Sequence, residues 1–150
     1  MLLVLDSGPL GLLSNPTREG QPLVAREWAK MHLDGGDRFV VPEIADYEVR
    51  RELLRAEKLR GLQRLDELCV GFGFQPLSSA IMREAAVLWA DARNAGMPTA
   101  HDAALDGDVI LAAQARSLVV NDEADDVVVV ATTNTKHLKR YVDARLWTEI

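Results

Sequence analysis

Three carboxylates in this chain stand where a fold could turn them toward one another. Asp6 ends the apolar run Leu2-Leu3-Val4-Leu5 and precedes Ser7-Gly8-Pro9. Glu48 lies within a helix-forming stretch that starts after Pro42, and Asp108 opens the apolar segment Val109-Ile110-Leu111-Ala112-Ala113. An aspartate at the head of a helix either caps it, accepting backbone N–H bonds at the positive end of the dipole, or faces a cleft; one residue can do both. Three carboxylates meeting without a basic partner raise one another's pKa, so such a cluster favours a protonated acid or a bound divalent cation. Oxygen-only ligands point to Mg²⁺ or Mn²⁺. Thr132-Thr133-Asn134 follows another apolar run, and small hydroxyl or amide groups at a strand end can orient a phosphate or a metal-bound water.

The elements that would carry these residues alternate strand and helix. Leu2-Leu3-Val4-Leu5 reads as a strand apolar on both faces, as in the centre of a parallel sheet covered by helices, whose carboxyl end is where such folds bind ligands. Asp6 or Ser7 would cap a short helix from Pro9. Val24, Trp28, Met31 and Leu33 give the apolar spacing of a helix over 23–33, stopped by Gly35-Gly36. Arg38 to Val41 reads as the second strand, with Pro42 opening a helix from Glu43 to about Glu57. On that helix Glu48 and Glu52 lie one turn apart amid Arg50, Arg51 and Arg55, and Glu52 reads as a partner in ordinary surface ion pairs.

Further on, Gly61 to Val70 forms an amphipathic helix, Phe72-Gly73-Phe74 introduces a short strand, and Ser78 or Ser79 caps a helix over Ala80–Ala95 with Trp89 in its core face. The stretch Asp102 to Arg116 is apolar almost all round and predicts a buried helix. Val127 to Val130 is the best buried-strand signal, and Thr135 to Tyr141 begins a short basic helix. Asp122, Glu123, Asp125 and Asp126 lack the glycine and spacing of a calcium loop and read as a solvated tip. The pattern predicts a three-layer α/β fold with a central, mostly parallel sheet, in which Asp6, Glu48 and Asp108 are neighbours at one cleft.

Composition sets outer bounds. The 150 residues predict a single domain, 1–150, large enough for a full core. Cys69 is the only cysteine, which excludes an internal disulfide and a cysteine-built metal site and suits a reducing cytoplasm. No apolar stretch approaches the roughly 20 residues of a membrane span, and no signal peptide is predicted. A net charge of −6 argues against general nucleic-acid binding, so contact with phosphate would need a local positive field.

Taken together, Asp6-Ser7 after the opening strand, Ala45-Asp46-Tyr47-Glu48-Val49, Asp108 to Ala113 and Val130-Ala131-Thr132-Thr133-Asn134 resemble, in this order and spacing, a PIN-domain ribonuclease, most like the VapC toxins of VapBC toxin–antitoxin pairs. The resemblance runs over nearly the whole chain. It implies metal-dependent hydrolysis of RNA phosphodiesters, with the family's three acidic positions on Asp6, Glu48 and Asp108 and Asp106 in reserve for the third. Asp6 and Asp108 would be the principal ligands of Mg²⁺ or Mn²⁺, and Glu48 a ligand or an orienter of the attacking water. Thr132 and Asn134 would support the site, and Arg50, Arg51 or Lys136 would hold the RNA backbone. Where the family often has a fourth acid, this chain has His137, readable as a ligand, a phosphate contact or a surface residue. The resemblance also implies a VapB-like antitoxin and a homodimer.

Two other classes share part of this pattern. A haloacid-dehalogenase-like phosphatase needs a second acid two residues after the first, and that place is Gly8. A catalytically weak or inactive PIN-like module that binds RNA or protein is the alternative, because of His137.

Overall fold

Leu2–Leu5 forms strand β1 with every side chain buried, and its position at the centre of the sheet explains the unbroken apolar run. The computed structural model describes residues 1–98, 101, 106–121 and 126–150. Helices α1 (Ser7–Ser14) and α2 (Gly20–Asp34) follow, then strand β2 (Arg38–Pro42), helices α3 (Glu43–Arg55) and α4 (Leu59–Phe72), and the two-residue strand β3 (Phe74–Gln75). Helices α5 (Ser79–Asn94) and α6 (Gly107–Asn121) lead to β4 (Val128–Thr132), a single 3₁₀ turn (Leu138–Arg140), β5 (Ala144–Leu146) and a final 3₁₀ turn (Trp147–Glu149).

The sheet order is β3-β2-β1-β4-β5, and every pairing is parallel. The chain leaves β1 toward β2 on one side and returns to β4 on the other, so the order reverses beside β1. A crevice opens at the carboxyl ends of the strands at such a reversal. Both edge strands are short, which leaves little unpaired backbone for another chain to extend.

Strand alternation divides the core in two. Leu3, Leu5, Phe39, Val129 and Ala131 face α1, α2 and α4, where Leu10, Leu13, Trp28 and Leu65 cover them. Val4 and Val130 face α5 and α6 and meet Ile81, Leu88, Ile110 and Leu111. Helix α3 serves both layers, with Ala45 and Val49 in the first and Ile44 in the second. The result is a three-layer α/β architecture, as the sequence predicts.

Several boundaries differ. The buried stripe of α2 is Ala25, Trp28, Ala29 and His32, while Val24, Met31 and Leu33 are exposed: the large apolar residues mark the wrong phase because two alanines do the packing. Pro42 ends β2 and stands before α3 rather than inside it. Trp89 lies at the margin of the core with Arg93 over its ring at 4.2 Å. The basic helix expected from Thr135 is the short Leu138–Arg140 turn. Helix α6 continues past Arg116 to Asn121. The expected helix start at Asp102 and the acidic positions 122, 123 and 125 lie outside the described residues; Asp126 pairs with Arg38 at 2.7 Å.

Candidate active site

Asp6 leaves the carboxyl end of β1, its N–H still bonded to Ala131 O at 3.0 Å, and enters α1 as the cap residue. Its Oδ1 accepts the Ser7 N–H at 2.7 Å, satisfying a donor that the first helical turn cannot. Its Oδ2 accepts the hydroxyl of Thr132 at 2.6 Å. Thr132 ends β4 next door and is fully buried. The hydroxyl oxygen itself accepts the Asn134 N–H at 3.0 Å, which turns its proton toward Asp6. Asn134 Oδ1 accepts the Lys136 N–H at 3.1 Å, an Asx turn that shapes the descent toward His137.

The other two acids arrive from opposite layers. Glu48 projects from the middle of α3 and shares the Ser7 hydroxyl as a partner. Asp108 stands in the first turn of α6, where its Oδ2 meets His137 Nδ1 at 3.0 Å. The capping role belongs to Asp106, whose buried Oδ1 accepts the Val109 N–H at 3.4 Å, so Asp108 is not needed as the cap and acts electrostatically on Asp6 and Glu48. His137 is thus a half-buried partner of Asp108 rather than a solvated surface histidine.

Electrostatics link the three. Burial pushes the Asp6 carboxyl above the ordinary value; the bonds from Thr132 and Ser7 pull it back, and the charge of Asp108 raises it again. Burial likewise raises Glu48; the Ser7 hydroxyl and Arg51 offset this in part, while Asp6 and Asp108 add to it. Among the described residues, no Lys or Arg nitrogen lies within ion-pair distance of Asp6, Glu48 or Asp108. A half-buried cluster of like charge held this way calls for a cation or a proton.

The donor set fits a hard divalent ion, being carboxylate oxygen with hydroxyls behind it. The acids are neighbours rather than a closed chelate: among the described residues, no three His, Cys, Asp or Glu side chains group tightly enough to hold an ion as they stand.

A cleft of about 480 Å³ runs outward from Ser7, Gly8 and Glu48 past Arg51 to Arg55 and Lys58, from acid to base. Arg51 stacks over the Tyr47 ring at 5.2 Å. Arg50, expected to reach a phosphate, does not face that cleft as a free cation. Its guanidinium forms a two-point pair with Asp46, at 2.8 and 3.0 Å, and reaches Asp66 at 2.8 Å, holding α3 to α4. Glu52 is paired with Arg55 at 2.9 Å, the surface pair expected of it. Lys136 is exposed. A larger cleft, about 960 Å³, opens between α5, α6 and β4, lined by Ile81, Val119, Val130 and Tyr141 among others; none of the three acids borders it.

Sequence reasoning missed the part of Ser7, whose amide and hydroxyl both reach Asp6 Oδ1, at 2.7 and 3.4 Å, and whose hydroxyl also lowers the Glu48 carboxyl pKa. It also missed two close approaches. A Cβ on Gly8 would meet Thr133 Oγ1 at 2.6 Å, so glycine there lets the turn after β4 lie on α1. A Cβ on Gly107 would overlap Glu48 Oε1.

No family model matches this sequence, and no curated protein matches it. Solved structures do. The chain superposes on VapBC-1 from nontypeable Haemophilus influenzae with a TM-score of 0.69 and 17% identity, over 99% of each chain. It superposes on VapBC2 from Rickettsia felis, determined bound to a DNA fragment from the promoter of that pair, with a TM-score of 0.68 and 15% identity, over 97% of this chain and 98% of the other. With its all-parallel sheet and flanking helices, the chain has the PIN-like α/β fold of the VapBC structures it matches, as the motifs at Asp6, Glu48, Asp108 and Thr132 predict.

Proposed function

We propose that this protein is a divalent-metal-dependent endoribonuclease, the toxin of a toxin–antitoxin pair. One observation carries the reading: Asp6, Glu48 and Asp108 arrive from three separate elements at the reversal point of the sheet, partly buried and without a Lys or Arg partner among the described residues. Structures maintain such a costly arrangement where the charge has work to do.

Asp6 and Asp108 would hold Mg²⁺ or Mn²⁺, with Glu48 as a third ligand or as the group that orients the attacking water. The ion supplies Lewis-acid polarisation of the scissile phosphate and a lowered pKa for water. Thr132 fixes the rotamer of Asp6 through its hydroxyl, and Asn134 fixes that hydroxyl in turn. Glu48 faces the cleft with its carboxyl pKa raised, suited to accept a proton from water as the phosphorus–oxygen bond forms. Arg51, Arg55 and Lys58 along the cleft would lie against the RNA backbone and give local positive potential to a chain whose net charge is −6.

The likeness to VapBC structures supports a VapB-like antitoxin as partner, one that could seat an arginine among the carboxylates in competition with metal. A homodimer and a cytoplasmic location complete the reading. Among the described residues, no helix is long and apolar enough to cross a membrane.

The test is cleavage of a mixed RNA pool by purified protein with and without Mg²⁺ or Mn²⁺, repeated after co-expression with the neighbouring open reading frame. Cleavage that needs the ion and is silenced by the neighbour supports the reading. Metal-independent cleavage, or none under any condition, overturns it. A second reading, a PIN-like module that binds RNA without cutting, takes its support from His137, which already occupies one oxygen of Asp108. RNA binding that persists without cleavage at saturating Mn²⁺ would favour it.

A further inference from the structure

Gly107 is the first residue of α6, between the cap Asp106 and Asp108, whose Oδ2 meets His137. Its backbone gives no reason for glycine: its φ is not among the left-handed values, which occur at Gly20, Gly36, Gly73 and Gly96. In a helix, alanine is the better former. The reason lies across the cleft. A Cβ at this position would overlap Glu48 Oε1 and sit 3.4 Å from Glu48 Cδ. The Glu48 carboxylate therefore rests on the bare Cα of Gly107, against the head of α6 and next to Asp108.

We infer that Gly107 is a positioning residue of the proposed metal site: by lacking a side chain it lets the Glu48 carboxylate rest at the head of α6, and any side chain there displaces the acid that would share an ion with Asp6 and Asp108. This rests on the proposed metal-dependent activity. It also specifies what the site reads at this point, which is the length of the acid on α3 against the bulk at the start of α6. A shorter acid at position 48 should therefore tolerate alanine at 107.

The experiment compares wild type, Gly107→Ala, Glu48→Asp and the double variant. Mn²⁺ affinity is measured by titration calorimetry, RNA cleavage at saturating Mn²⁺, and the melting temperature without metal. The expected result is a loss of Mn²⁺ affinity in Gly107→Ala of roughly 10–100-fold, the size of effect seen when groups that orient a ligand are removed. Its metal-free melting temperature should equal or exceed that of wild type. Adding Glu48→Asp to Gly107→Ala should restore affinity and cleavage toward the level of Glu48→Asp alone. Wild-type affinity in Gly107→Ala overturns the inference, as does a double variant whose losses multiply. Should wild type neither bind Mn²⁺ nor cleave RNA, the functional reading fails first and takes the inference with it, an outcome seen in the wild-type arm alone. Should Gly107→Ala not fold, folding of Gly107→Ala in a Glu48→Ala background supports the contact as the cause, and failure there overturns it.

Discussion

Each end of β1 abuts an aspartate, and the two are held in opposite ways. At the amino end Asp37 receives the Met1 amine at 2.7 Å and His32 Nδ1 at 2.7 Å. These partners hold its carboxyl below the ordinary range. At the carboxyl end Asp6 has hydroxyl and amide donors but like charge from Asp108, and burial lifts its pKa. The same contrast recurs on α3, where Asp46 is closed by Arg50 while Glu48, half a turn on, faces the cleft. One end of the molecule uses charge to fasten the chain; the other leaves it only partly offset. Perturbed carboxyls in a cleft mark a functional site more often than a structural one.

The sharpest way to break this contrast is Asp6→Asn. It keeps the shape and an acceptor for the Ser7 N–H but removes the charge. Cleavage should fall by more than the roughly 10–100-fold typical of losing a supporting group. The metal-free melting temperature should hold or rise, since a repelled charge is gone; each kcal/mol gained appears as about 2–4 °C in a chain of this size. Near-wild-type cleavage would remove Asp6 from the mechanism.

Thr132→Val comes next. The shape is retained, but Asp6 Oδ2 loses its donor and the Asn134 N–H loses its acceptor. Cleavage should fall roughly 10–100-fold through misplacement of Asp6, with about 1–3 kcal/mol lost in stability from the groups left unpaired. If cleavage falls only as far as stability does, measured by matching the fraction folded, then Thr132 supports the fold and not the site.

How far the sequence reveals this depends on the range of the interactions. The continuous apolar runs of β1 and β4 and the polar residues that end them were readable because burial on both faces leaves a local pattern. Strand β5 was not: three residues with Arg145 at their centre carry no signal apart from the neighbour they pair with. The apolar pattern ends α6 at Arg116, whereas the helix continues through the β-branched, exposed Val119 and Val120 to Asn121. Asp46 and Arg50, at i and i+4, have the spacing of a helical ion pair, but Glu48 and Glu52 share that spacing among the same arginines, and only the fold separates the closed acid from the open one. Gly107 against Glu48 joins residues distant in sequence, and nothing local foretells it.

Arg50→Ala probes the paired side of the contrast. It leaves Asp46, buried beside Cys69, without its partner and releases α4 from α3. A loss of about 1–3 kcal/mol is expected from an acceptor left unsatisfied, measured by urea denaturation, with the cleavage rate of the folded fraction close to wild type. A selective loss of RNA affinity at unchanged stability would return Arg50 to the interface.

The smallest effect, and the one that tests both ends at once, is the pH dependence of stability in metal-free protein. For Asp6 and Glu48 the folded carboxyls titrate above their unfolded values, so the native state binds the proton more tightly. Their contribution is therefore most favourable below the unfolded pKa values, near 4, and declines as pH rises through the folded ones. For Asp37 the sign is reversed: its contribution is present above the unfolded value and declines as pH falls through the depressed folded one. Chemical denaturation across this range should show stability rising as pH falls from neutrality toward the ordinary carboxyl range, then falling at lower pH. Asp6→Asn with Glu48→Gln should erase the rise and keep the fall; Asp37→Asn should keep the rise and soften the fall. Parallel curves for wild type and the first variant would mean that the two acids carry no excess proton affinity in the fold, and the contrast between the ends of β1 would be one of geometry alone.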